Sequence, residues 1–460
     1  MADGVHGAAL LSLLSADLRA SEGNKVWDLK PKQPHFVPQA NAVIHLFQNG
    51  GPSQVDLFDP KPALKKFAGT APSRDIVNEI EFADQIGSML PSPFDFRRYG
   101  NCGMEMSELL PHLGSCADDI TLIRSMFGEH FNHEPSLYLM HTGRTLPGRP
   151  VLGAWVTYGL GTVNQNLPAY VVLDDPKQLP VNGIQNWQSG WLPPVYQGTR
   201  FRSEGPPLLN LKPQGDLPDQ LEQAQRALVR RLDEQHRFLR PGYPDLDARI
   251  SNYELAARMQ VEAMDALDLS GEAEATKDMY GLNEEATASY GRRCLMARRL
   301  VERGVRFVEI YIERQIWDTH SDLESSLKYC CRKTDKPAAA LIKDLKRLGL
   351  LDTTLIMSTG EFGRMPISQI REGLSAGRDH GPSGFSLWMA GGGVKGGYIH
   401  GATDEIGYKA VEKRVSVHDF HATMLHVLGL QFRELVFERH GLKERLTDQY
   451  PARVVEEVLV

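Results

Sequence analysis

Five acid or imidazole side chains stand beside short apolar runs in the second half of this chain. Asp318 and His320 follow "RFVEIYI" in the stretch "WDTHSD", Glu361 closes "TLIMSTGE", and Asp379 and His380 come just before "FSLWMAGGG". Upstream, His130, His133 and His141 fall within twelve residues, after the apolar run "ITLIRSM". Neutral imidazole is the commonest metal-binding side chain, and carboxylates complete mixed nitrogen–oxygen sites. A divalent ion in such a site polarises a phosphoryl or sulfuryl oxygen and activates an attacking hydroxyl or water. Any one of these residues alone is more often structural than a ligand. Their recurrence, each time beside an apolar run, is what points to a metal.

A further polar cluster follows the first apolar run, "AVIHLF" (42–47), at Asn49-Gly50-Gly51-Pro52-Ser53, with Asp56 and Asp59 behind it. Glycines let a backbone turn sharply and expose its N–H groups. Either this is a plain turn, or Asn49, Ser53 or Asp56 faces the same site. The Gly391–Gly393 run lacks the Lys-Ser/Thr end of a phosphate-binding loop and reads as a turn. His418, His421 and His426 lie in a helical pattern and read as structural.

These groups need elements to position them. The stretches 118–126, 169–175, 303–312, 352–360 and 385–397 read as strands alongside 42–47, being short, continuous and apolar. Residues 325–350 and 416–430 read as amphipathic helices, and 180–215 as loop. Residues 217–300 show helical periodicity, many charges and no strand. Continuous apolar strands alternating with helices imply a mostly parallel sheet covered on both faces, a three-layer αβα sandwich. Ligands then bind outside the carboxyl ends of the strands. We expect an N-terminal segment over 1–40 and one α/β domain over 41–460, with a loop and helical insertion at about 180–300.

Composition narrows the function. With 51 Lys and Arg against 58 Asp and Glu, and no basic patch, nucleic acid is not an expected partner. No run approaches the roughly 20 apolar residues that span a bilayer. The five cysteines show no CxxC spacing, which argues against a disulfide framework or a zinc knot and leaves one bridge, Cys102–Cys116, whose members share a loop-helix region. The start, "HGAALLSLLSADLRASEG", has the apolar run of an export signal without its positively charged start, and reads equally as an ordinary amphipathic segment.

The stretches "VIHLFQNGGPSQVDLFDPKP", "FNHEPSLYLMHTGR", "WDTHSD", "GEFGRMP" and "GRDHGPSGFSLWMAGGGVKGGYIHGATDEIG" resemble, in order and over almost the whole chain, the bacterial DUF1501 family, abundant in planctomycetes. That family is similar to the alkaline phosphatase and sulfatase superfamily, so the resemblance implies an alkaline phosphatase-like fold and a divalent metal, zinc, manganese or calcium. It implies metal ligands among Asp318, His320, Glu361 and His380. Three expected groups are altered. Asn49 stands where the superfamily keeps a metal-binding Asp, His133 stands where a sulfatase keeps its nucleophile, and Phe362 replaces an imidazole. Asp56 and His133 are then the substitute ligands. His133, Glu361 and Ser53 are the candidate catalytic groups, and Asn49, Arg364, His130 and Asp379 the candidate substrate contacts. The resemblance implies a hydrolase of phosphate or sulfate esters, small-molecule or saccharide-linked, using metal-activated water. The alternative is a non-catalytic binding protein on the same fold. The family often carries an export signal, which favours the periplasm, with the cytoplasm open for a leaderless chain.

Overall fold

The run Ala42–Phe47 (β1) is buried at every position because strands flank it on both edges and helices cover both faces. The computed structural model describes residues 27–78, 80, 86–205, 218–240, 244–369 and 374–460. The apolar stretch near the N-terminus lies outside the described residues. Besides three small two-stranded hairpins, the other strands in chain order are β2 (Ile86–Met89), β3 (Ile120–Phe127), β4 (Tyr170–Leu173), β5 (Thr199–Arg200), β6 (Phe307–Tyr311), β7 (Thr354–Thr359), β8 (Gly363–Gln369), β9 (Gly377–Gly381), β10 (Phe385–Ala390), β11 (Tyr398–His400) and β12 (Val415–Ser416).

Nine of them form one sheet in the order β11-β3-β10-β7-β1-β6-β4-β5, with β12 beside β3. Every pairing is parallel except those of β10, which runs against both β3 and β7. The fold is thus mixed α/β with a large, mostly parallel central sheet. Side chains alternate across it. Ala42, Ile44 and Leu46 enter one core with helices α4 (Pro244–Leu267), α5 (Ala288–Glu302) and α6 (Leu323–Arg347). Val43 and Phe47 enter the other with α1 (His133–Thr142), α2 (Leu152–Leu160) and α7 (Val417–Val427). Leu323, Leu327, Cys330, Thr334, Ala338, Leu341 and Leu345 give α6 its buried stripe at helical spacing.

Expected and observed structure differ at several points, including short strands within 86–107, 402–412 and 437–444 that the apolar pattern does not show. The segment 363–381 folds back as an antiparallel hairpin, β8 and β9, which with β2 makes a separate three-stranded sheet. It carries no apolar run, so periodicity does not show it. The stretch 180–205 is less irregular than a loop, with helical turns at Gly183–Trp187 and Pro194–Tyr196 and the edge strand β5. Cys102 and Cys116 are both free. The Cys116 thiol is buried and points at the Ala339 carbonyl, whereas Cys102 is exposed and points at Tyr99. No helix among the described residues is long and apolar enough to cross a membrane.

One carboxylate lies inside the second core. Glu309 on β6 faces His45 Nδ1 at 2.9 Å and His141 Nε2 at 3.3 Å, and accepts the Tyr170 hydroxyl. His45 also meets the Thr359 hydroxyl at 2.7 Å, and His141 the Tyr311 hydroxyl at 2.6 Å. Burial drives the Glu309 carboxyl upward, but its hydrogen bonds to His141 and His45 outweigh this and hold it at about 2. A depressed carboxylate stabilises the fold fully above its ordinary value of 4.5, and that contribution disappears as pH falls toward 2. Urea unfolding at stepped pH should therefore show wild type losing about 3 kcal/mol more than Glu309→Gln across that window. Parallel curves for the two proteins would show that Glu309 is not held as the anion.

Candidate metal centre

In a parallel sheet the carboxyl ends of all strands lie at one edge, and β1, β6 and β7 bring Asn49, Asp318 and Glu361 there. Because β10 runs the opposite way, the residues before it, Asp379 and His380, reach the same edge. His133 arrives differently, as the first residue of α1 after the β3 loop, and Gly143 ends that helix in the left-handed conformation. Two glycines make the close approach work. A Cβ at Gly50 (φ +110°) would sit 2.5 Å from the Asp318 backbone nitrogen, and one at Gly51 (φ +79°) 2.6 Å from the Phe362 ring.

Four side chains converge. One ligand atom each from His133, Asp318, His320 and His380 lies within 4.8 Å of all the others. His320 Nε2 is 2.8 Å and His380 Nε2 3.2 Å from Asp318 Oδ1, and the two nitrogens are 3.0 Å apart. His133 Nε2 is 3.4 Å from Asp318 Oδ2. The four side chains are between 13% and 24% exposed, so the cluster opens to solvent. Phe362 packs against both His133 and His380, with ring centroids 4.9 and 4.6 Å away.

Partners behind the rings set their tautomers. His133 Nδ1 donates to Glu361 Oε1 at 2.7 Å, and Glu361 is itself held by the Gly50 N–H at 2.9 Å. His320 Nδ1 donates to Gln369 Oε1. Both imidazoles therefore turn Nε2 inward. Burial pulls the His133 imidazole down, but the carboxylates of Asp318 and Glu361 prevail and raise it to about 9. His380 is pushed down to about 3, first by burial and then by the charges of Arg364 and His133. Burial opposes ionisation of Asp318, yet Arg364 and the three imidazoles hold it far below the usual carboxylate range.

The arrangement fits a cation. Ligands at about 2.0–2.1 Å around a tetrahedral zinc lie roughly 3.3 Å from one another, and the separations at Asp318 bracket that value. His133 Nε2 is buried without a hydrogen-bond partner, as an imidazole aimed at an ion would be. Three nitrogens and one carboxylate suit zinc or another borderline dication, whereas calcium takes six to eight oxygens. Calcium, expected as one option, is therefore a poor match to this donor set.

The remaining candidate residues take other places. Glu361 orients His133 rather than joining the four. Asp56 is fully buried in a two-pronged pair with Arg378, at 2.7 and 2.9 Å, and accepts the Ser53 hydroxyl at 2.5 Å. Neither Asp56 nor Ser53 reaches the cluster, and Ser53 is closed to substrate. Arg364 is fully buried and donates to Asp318 Oδ1 at 2.6 Å, to the Gly50, Gly51 and Arg378 carbonyls, and so has no face for a substrate. The Asn49 amide donates to the carbonyls of Ile312 and Arg314 at 2.7 and 2.8 Å, fastening β1 to the β6 loop. His130 stays in the loop, where its ring accepts from the Asn132 N–H and stacks on Phe131. Asp379 is 3.9 Å from His320 Nδ1. Sequence reasoning did not identify Gln369, nor Gln54, whose amide binds both the N–H and the carbonyl of Arg364. A neutral amide carries no motif, and only the folded register gives these two a role.

Glu361→Gln keeps the size of the side chain and removes the charge that orients His133. Its metal affinity, measured by competition with a chromophoric chelator, should fall roughly 10–100-fold with the fold intact. Unchanged affinity would show that the Glu361 charge does not support the site.

A search of curated proteins finds no match. Among solved structures the chain is similar to Ps i-CgsB, at 13% identity and TM-score 0.33 over 70% of this chain and 66% of that one, just under two thirds of its length. It is also similar to the lipoteichoic acid synthase LtaP from Listeria monocytogenes, at 8% and 0.36 over 86% and 74%. A third is the phosphonate monoester hydrolase SpPMH from Silicibacter pomeroyi, at 12% and 0.33 over 92% and 76%. The family described as "Protein of unknown function (DUF1501)" matches residues 40–459, and the chain belongs to it.

Proposed function

We propose that the protein is a metal-dependent hydrolase of phosphate or sulfate esters with one dication held by His133, Asp318, His320 and His380. The observation that carries this reading is the inward convergence of three imidazole Nε2 atoms on one carboxylate, with His133 Nε2 buried, 3.4 Å from Asp318 and without a hydrogen bond. A dication there supplies Lewis-acid chemistry, polarising an ester oxygen and lowering the pKa of a water. The chain does the rest. Glu361 and Gln369 keep two imidazoles in the ligating tautomer, and Arg364 holds Asp318 in place. Glu361 is committed to His133 and the Gly50 N–H, and Asp379 lies on the outward Nδ1 side of His320 and accepts the His380 N–H, so neither carboxylate is placed to take a proton from the attacking water. No hydroxyl of Ser53 takes part, since it is buried against Asp56.

That last fact also favours a second reading, a binding protein with the same metal. Elemental mass spectrometry separates both from a metal-free protein. Wild type should hold about one metal per chain, and Asp318→Ala and His380→Ala close to none. Metal-loaded wild type should then hydrolyse an aryl phosphate or aryl sulfate, with both variants inactive but folded. Bound metal with no turnover on any ester would favour the binding protein. No uptake of zinc, manganese or iron would end both readings.

A further inference from the structure

Helix α3 (Asp219–Leu239) wears its leucines on the outside. Leu221, Leu228, Leu232 and Leu239 are 47%, 58%, 54% and 65% exposed, and Gln225 and Gln235 between them are exposed too. The six positions follow one another at spacings of 4, 3, 4, 3 and 4 residues. At about 100° per residue they fall within roughly 80° of the helix surface, and the spacing is that of the a and d seam of a coiled coil. Helix α3 is exposed on nearly all sides and touches the rest of the protein through a few ion pairs, Arg230 and Arg237 remaining 68% and 45% exposed. Arg230 and Arg237, about 180° from the leucines, pair with Glu254 at 3.9 Å and Asp247 at 2.6 Å on α4. Helix α4 is anchored in the core by Leu255, Met259, Ala263 and Leu267. An ordinary surface helix turns its apolar stripe to the core, whereas this one leaves its leucines in solvent.

The seam is also a palindrome. Leu221 and Leu239, Gln225 and Gln235, and Leu228 and Leu232 are each placed symmetrically about Arg230. An unsymmetrical seam would mismatch its layers when laid head to tail on itself. This one places Leu on Leu and Gln on Gln, as an isologous two-fold contact requires. Antiparallel pairing also opposes the two helix dipoles favourably. It gives partners to the exposed residues that flank the seam, setting Val229 on the same residue of the second copy and Phe238 beside Ala224. Arg231 meets its own copy on the other flank, a like-charge contact at a solvated rim, where charges count for little.

We propose that the occupant of this face is a second copy of the chain, joined through an antiparallel α3–α3 coiled coil with its two-fold axis at Arg230. The interface stands apart from the metal centre and does not depend on the proposed activity. The full chain should sediment at micromolar concentration with about twice its 51.3 kDa mass. Leu228→Glu combined with Leu232→Glu should sediment as a single chain, with unchanged helical content and metal uptake. In a Cys102→Ser background, Gln225→Cys with Gln235→Cys should cross-link between chains on mild oxidation, while Gln225→Cys alone should not. A monomeric wild type, a dimer that survives the two glutamates, or efficient cross-linking by Gln225→Cys alone would each overturn the proposal. So would a monomer that binds anionic lipid vesicles through this face.

Discussion

The site rests on one carboxylate with more claimants than oxygens. Asp318 faces Arg364, His320 and His380 at one oxygen and His133 at the other. Those residues come from the ends of different strands and from the first turn of α1. A buried guanidinium must be neutralised, and Asp318 is the charge that does it. Arg364 then uses its other donors on the carbonyls of Gly50, Gly51 and Arg378. The glycine turn, the β8–β9 hairpin and the Asp318 loop are thereby tied to one side chain.

A second buried charge lies beneath the first. Glu309 sits on the interior strand β6 and is satisfied by His45, His141 and Tyr170. His141 belongs to the same helix as His133. Its contacts with Glu309 and Tyr311, together with those of His418 and His421 to the Gly143 and Met140 carbonyls, hold the C-terminal end of α1. The helix is therefore pinned in the core at one end and presents His133 at the other. Preorganisation of this kind is what a metal site requires, because a ligand that must search for its place binds weakly.

The donor set sets the chemistry available. Nitrogen dominates, so a borderline dication is favoured over calcium. The buried Ser53–Asp56–Arg378 group takes up Asp56, expected as a substitute ligand, and Ser53, expected as a candidate catalytic group.

The apolar runs at 42–47, 118–126, 169–175 and 352–360 were legible as strands because each is buried on both faces and needs no partner to reveal its pattern. The helices at 217–300 and 325–350 were legible from their 3.6-residue period. His133, Asp318, His320 and His380 could be picked out as chemical types beside those runs. Their roles could not be sorted, since Glu361, Asp56, Ser53 and Arg364 look equally reactive as letters. Tertiary structure separated them: Asp56 and Ser53 were drawn to Arg378, Glu361 became the support of His133, and Arg364 was sealed beneath Asp318. It also decided that β10 runs antiparallel and that 363–381 forms a hairpin, which is how His380 reaches the cluster. The sequence alone determined which segments must be buried, because burial depends on local apolar character. Which polar groups meet depends on strand direction and register, and those exist only once the sheet has formed.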